Sequence, residues 1–170
     1  MILIIYLSNH QFVDSTKYLY LSGENISDLS GIEFFTSLEH LDISHNNLSE
    51  LSLNKNLKLK ELLCSYNLLT KLDLSQNTSL IYINTMDNKL NQIELSNLKL
   101  LYNIQLDNNN LIDLDLSTNR KLYILSIRFN KIKYLDLKNN LDLNSLNVRA
   151  NSLDDVNLPE KTKLAKESVL

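Results

Sequence analysis

Leucine and isoleucine recur along the chain at a spacing that is neither helical nor strictly alternating. One stretch carries Leu38, Leu41 and Ile43 ahead of Asn46 and Leu48, and the next carries Leu59, Leu62 and Cys64 ahead of Asn67 and Leu69. The same order returns at 80–90, 101–111, 122–132 and 143–153. Asn falls at 46, 67, 88, 109, 130 and 151, a step of 21 residues each time. Residues two apart, such as Leu41 and Ile43, point to the same side of a short strand. The spacing therefore predicts short parallel strands stacked coil upon coil, roughly 4.8 Å apart, with the Leu positions inside. The recurrent Asn sits where the chain turns off the strand, and its side chain is placed to bond backbone groups that the turn leaves unpaired.

A second period is nested in the first. Leu51-Ser52-Leu53, Leu72-Asp73-Leu74, Ile93-Glu94-Leu95, Leu114-Asp115-Leu116, Leu135-Asp136-Leu137 and Val156-Asn157-Leu158 form strand-like blocks halfway round each coil, and Asn follows several of them at 56, 77, 119 and 140. Extended structure is expected on both broad faces, with little or no helix. The fold class is a leucine-rich solenoid, mainly β or α/β, a flattened right-handed coil of about seven turns.

The ends depart from the pattern. From Tyr18 the first full coil has 22 residues, Glu24 stands in the Asn place, and the three-residue spacing from Ile26 to Phe35 suits a 3₁₀-like segment. Ile5-Tyr6-Leu7 followed by Phe12 reads as the strand half of an incomplete coil, so residues 1–17 are expected to be a partial repeat or cap. The solenoid is expected over 18–158. Pro159 breaks the pattern, and 159–170 is expected to be a C-terminal cap or tail with a short helix over Glu160 to Val169.

Composition narrows the chemistry. Of 170 residues, 39 are Leu and 24 are Asn, against two Gly and one Pro, which leaves no Gly-rich phosphate loop. A net charge of −3 provides no basic footprint for nucleic acid. No run of about eighteen apolar residues is present, so membrane insertion is not expected. One cysteine builds neither a disulfide framework nor a Cys-based zinc site. Cys64 points inward by its register and is expected to be unreactive. His10, His40 and His45 form no metal-ligand spacing, and no carboxylate partner for them is evident. No catalytic motif, cofactor or metal is expected. Met1 to Leu7 is apolar but lacks a basic flank and a cleavage site, and is read as structure.

The stretches Leu72-Asp73-Leu74-Ser75-Gln76-Asn77-Thr78 and Leu114-Asp115-Leu116-Ser117-Thr118-Asn119 resemble the nested leucine-rich repeats of bacterial, internalin-like surface proteins. The stretch around Ile26, Leu29 and Ile32 is similar to ordinary internalin repeats. In some relatives the second inward strand position is a ladder of Cys. Here only Cys64 holds it, among Ile43, Thr85, Leu106, Ile127 and Val148, so no ladder role carries over. The resemblance implies a non-enzymatic protein-binding module and pulls towards a surface or secreted location in host contact or adhesion. The residues alone read as cytoplasmic. Two alternatives are a targeting fragment of a larger bacterial effector enzyme and a functionless remnant of a longer repeat protein.

Read in register, the outward strand positions form columns. Tyr18, Tyr20, Leu63, Tyr66, Tyr82 and Met86 make an aromatic, apolar area towards the first half, with Arg128 and Arg149 at the opposite end. Tyr and Arg anchor protein interfaces, so these eight residues are the candidate partner-binding set. The partner would be a protein. The other face carries Ser52, Asp73, Glu94, Asp115, Asp136 and Asn157 in a column. This is read as a solvated acidic stripe, eased by hydroxyls and by Lys71 and Lys133, because single-file carboxylates converge poorly on an ion. Open strand edges at the two solenoid ends predict end-to-end self-association.

Overall fold

The computed structural model describes residues 10–159. Nine three-residue strands are connected by turns: β1 Tyr18–Tyr20, β2 His40–Asp42, β3 Glu61–Leu63, β4 Tyr82–Asn84, β5 Asn103–Gln105, β6 Ile124–Ser126, β7 Tyr134–Asp136, β8 Ser145–Asn147 and β9 Asp155–Asn157. Seven of them form one parallel sheet in the order β1-β2-β3-β4-β5-β6-β8. The register matches like positions throughout: Leu19, Leu41, Leu62, Ile83, Ile104, Leu125 and Leu146 lie side by side. The molecule is a parallel-strand leucine-rich repeat solenoid of about seven coils with almost no helix.

The second face is less regular than the nested period predicts. Its blocks pair as strands only between β7 and β9, with one isolated bridge between Ser52 and Asp73. Elsewhere each block turns away directly after three residues. Where the centre of a block is a carboxylate it accepts the N–H two residues on, as between Asp73 and Ser75 at 2.9 Å and between Asp115 and Ser117 at 2.8 Å. The first full coil carries the expected 3₁₀ turn, over Ile32–Phe34.

The entry to the solenoid differs from the expectation. Phe12 lies not on a strand but in a short helix, α1 His10–Ser15. A helical turn satisfies its own backbone groups locally, without a neighbouring strand. Its Val13 is 5% exposed and joins the core at that end. The strand expected at Ile5 to Leu7 and the capping helix expected from Glu160 to Val169 lie outside the described residues.

One continuous apolar cluster runs from Val13 to Val148. From β2 onwards, the turn after each strand of the main sheet is built by its Asn. Asn109 is representative: Oδ1 accepts the Leu90 N–H at 3.0 Å, while Nδ2 donates to Thr85 O at 3.0 Å and Leu106 O at 3.1 Å. It thus ties three chain segments together. The residue before each of these Asn is in the left-handed region: His45, Tyr66, Asp87, Asn108, Phe129 and Ala150 have φ between 52° and 56°, and Gly23 takes the place in the first coil at 77°. A second Asn ladder, at 56, 77, 119 and 140, is fully buried, and its Nδ2 groups donate to carbonyls of the preceding coil. Leu98 stands in the one gap of that ladder.

Candidate functional site

The seven-stranded sheet places side chains in columns across its exposed face. Along the strand entry, the Tyr18 ring stacks on His40 with centroids 4.5 Å apart and planes 12° from parallel. His40 Nδ1 lies 3.0 Å from Glu61 Oε2, so this histidine does have a carboxylate partner, supplied by the adjacent coil. Register, not sequence proximity, brings the two together, which is why the linear pattern hides the pair. Tyr82 follows in the same column and is half-buried, and burial pushes its hydroxyl pKa up.

One position earlier in each coil runs a column that alternation had assigned to no face: Lys17, Glu39, Lys60, Ile81, Tyr102 and Tyr123. Glu39 receives Lys17 and Lys60 from either side. Tyr102 and Tyr123 stack at 4.9 Å, 8° from parallel. Ile81 and Tyr102 are exposed large apolar side chains. Ile81, Tyr82, Tyr102, Tyr123 and Ile124 therefore occupy adjacent positions on three neighbouring coils. Sequence reasoning missed Ile81, Tyr102 and Tyr123. The signal was present in the L-x-x-L spacing, which leaves two consecutive residues outside between buried ones such as Leu80 and Ile83.

The candidate set is divided rather than gathered. Tyr18 and Tyr20 stand at the first coil, 54% and 69% exposed. His40 and Glu61 intervene between Tyr18 and Tyr82 in their column. Tyr66 lies at the strand exit, stacked on His45 at 4.3 Å. Leu63 lies mid-face and Met86 near the exit, both half-buried. Arg128 is committed internally: its Nε donates to Asp107 Oδ2 at 2.8 Å, and its guanidinium carbon sits 5.9 Å from the centre of the Phe129 ring. Arg149 is exposed near the last coil.

On the opposite face the acidic column is held by backbone amides. Hydrogen bonds from Ser75, Ser96 and Ser117 keep the Asp73, Glu94 and Asp115 carboxyls below their ordinary pKa values. The lysine that joins this column is Lys138, 2.8 Å from Asp136, rather than Lys71 or Lys133. No cluster of three His, Cys, Asp or Glu among the described residues has metal-binding geometry, and no described helix is long and apolar enough to cross a membrane.

No protein-family model matches the chain, and no curated protein matches it. Solved structures do. An internalin, InlF, from Listeria monocytogenes superposes with a TM-score of 0.75 at 23% identity, over 88% of this chain and 56% of its own. YopM from Yersinia enterocolitica gives 0.80 at 24% identity over 92% and 33%. A leucine-rich repeat protein of Leptospira interrogans gives 0.79 at 24% identity over 84% and 39%. The chain thus spans between 33% and 56% of the length of these three structures.

Proposed function

We propose that this leucine-rich repeat solenoid is a non-enzymatic scaffold that binds a protein partner through the exposed face of its seven-stranded sheet. The observation that carries the reading is the stacked Tyr102–Tyr123 pair beside Ile81 and Tyr82, an apolar area on three consecutive coils of a rigid sheet. Contiguous exposed apolar patches mark contact sites. Stacked coils hold the rings in place before binding, so little side-chain freedom is lost on association. The Tyr18–His40 stack and the His45–Tyr66 stack extend the surface to either edge of the same face.

Site-specific photocrosslinking tests this reading. A benzoylphenylalanine in place of Tyr102 is expected to yield one discrete adduct in source-cell extract, suppressed when Tyr82→Ala and Tyr123→Ala are added. The same probe at Thr78, an exposed turn position, is expected to yield none. Equal labelling from both positions, or an adduct indifferent to the alanines, would remove the strand face as the binding surface.

A further inference from the structure

The opposite face carries a feature that the strand surface does not explain. An open groove of about 1090 Å³ crosses the first four full coils there. The 3₁₀ turn Ile32–Phe34 of the 22-residue first coil borders it at one end, where Ile32 and Glu33 line the groove. The floor is apolar and built from one position of each coil: Leu29, Leu51, Leu72 and Ile93. Leu51 and Ile93 are only partly covered by the core they pack against.

The rim is acidic. Asp28, Asp73 and Glu94 are each fixed by a serine two residues on: Ser30, Ser75 and Ser96 donate at 2.9, 2.9 and 2.8 Å. Hydrogen bonds from the serine side chains and backbone hold the three carboxyls below their ordinary pKa values. Glu33 and Glu50 add two more carboxylates, against Lys55 and Lys71, leaving an excess of three negative charges around an apolar floor.

We infer that this groove is a second docking surface, taking an extended segment of a partner protein in which Lys or Arg alternates with large apolar residues. Four coils at ~4.8 Å spacing give a track of about 15 Å, which spans about four or five extended residues. In such a segment side chains alternate by face, so apolar groups meet the floor while the cations, on the outer face, reach over to the rim on their long flexible stems. Charge complementarity of this kind sets specificity and association rate. The inference is independent of the strand-face reading, because no residue is shared between the two surfaces.

Fluorescence anisotropy with the full chain tests it. The probe is a fluorescein-labelled peptide of alternating lysine and leucine, with an alternating glutamate and leucine peptide as comparison. The lysine peptide is expected to bind saturably and to weaken as salt rises, and the glutamate peptide is expected not to bind. Glu50→Lys with Gln92→Lys, both exposed rim positions, is expected to lower affinity about tenfold or more while leaving the circular dichroism melt unchanged. Asp142→Lys, on an exposed turn away from the groove, is expected to leave affinity unchanged. Equal loss from Asp142→Lys, or loss from Tyr102→Ala in place of the rim changes, would overturn the inference. So would a concentration-dependent dimer abolished by Glu50→Lys, since the groove's occupant would then be a second copy of the chain.

Discussion

Asp107 and Arg128, 21 residues apart, occupy the same position on adjacent coils and are joined through the sheet. The carboxylate is 1% exposed, and it accepts the Arg128 Nε at 2.8 Å, the Arg128 backbone N–H at 2.7 Å and the Ser126 hydroxyl at 2.6 Å. Removing the guanidinium leaves a buried charge without its counter-ion, which is costlier than removing both partners. Arg128→Met is therefore expected to lower unfolding free energy in urea by about 2 kcal/mol, the figure reduced because the arginine is partly solvated. Asp107→Asn combined with Arg128→Met is expected to cost less than Arg128→Met alone.

The two Asn ladders differ in what they leave unmade. Asn109 uses both ends of its amide, and replacing it by Leu orphans the Leu90 N–H along with several carbonyls. A loss of about 3 kcal/mol is expected. Asn119 uses only its Nδ2, towards Leu95 O and Leu98 O, and its buried Oδ1 has no partner. The fold already accepts Leu98 at the equivalent place one coil earlier. Asn119→Leu is expected to cost under about 1 kcal/mol, because the unmet acceptor disappears together with the bonds. Parallel urea titrations of the two variants decide it.

Thr85 holds a fully buried place between Cys64 and Leu106, and its hydroxyl has no hydrogen-bond partner. Valine has nearly the same shape without the polar atom. Thr85→Val is expected to stabilise the chain by about 1 kcal/mol, seen as a higher thermal midpoint. An unchanged or lower midpoint would mean that the hydroxyl is satisfied in solution.

The left-handed backbone before each turn Asn is tolerated by Asn and Gly but strained for other residues. Ala150 sits there at φ 56° and is exposed. Ala150→Gly is expected to raise stability by about 0.5 kcal/mol, the relief of strain exceeding the entropy cost of glycine. Calorimetry on the pair of proteins measures the sign directly.

Glu39, bonded by Lys60 and then by Lys17, has its carboxyl lowered from 4.5 to about 2. A carboxyl depressed in the folded state contributes stability that is fully present above its unfolded pKa and disappears as pH falls through the folded value. The contribution is thus expected to be lost between about pH 4.5 and pH 2. Glu39→Gln is expected to flatten that part of the stability profile and leave the melt above pH 6 nearly parallel to wild type.

Most of the fold was legible because a leucine-rich coil repeats one solution. The 21-residue step of Asn46 to Asn151 dictates strand register, and the paired Leu positions dictate what is inside. Cys64 follows from the same logic: it is fully buried, and burial pushes its thiol up to about 12. Legibility failed where position alone does not settle direction. Asp107 and Met86 share a column, yet one is buried beneath an arginine and the other is half-exposed. The stacked Tyr102 and Tyr123 escaped because strict alternation was applied to a bend in which two consecutive residues face outward. The groove escaped because Leu29, Leu51, Leu72 and Ile93 all read as interior positions, whereas Leu51 and Ile93 are only partly covered.

Each coil of the main sheet meets its neighbours through the same strand register and, from Asn46 on, the same turn-Asn bonds, so the molecule is divisible in whole coils and in nothing smaller. Excising residues 88–108 would join Asp87 to Asn109 and bring Asn109 into the seat that Asn88 occupied, with every strand below it shifted one rung. Excising one residue more or fewer at that place would put the Leu column out of register with its neighbours instead. Length in this architecture is thus a nearly free variable, counted in integers, while everything within a coil is held rigid.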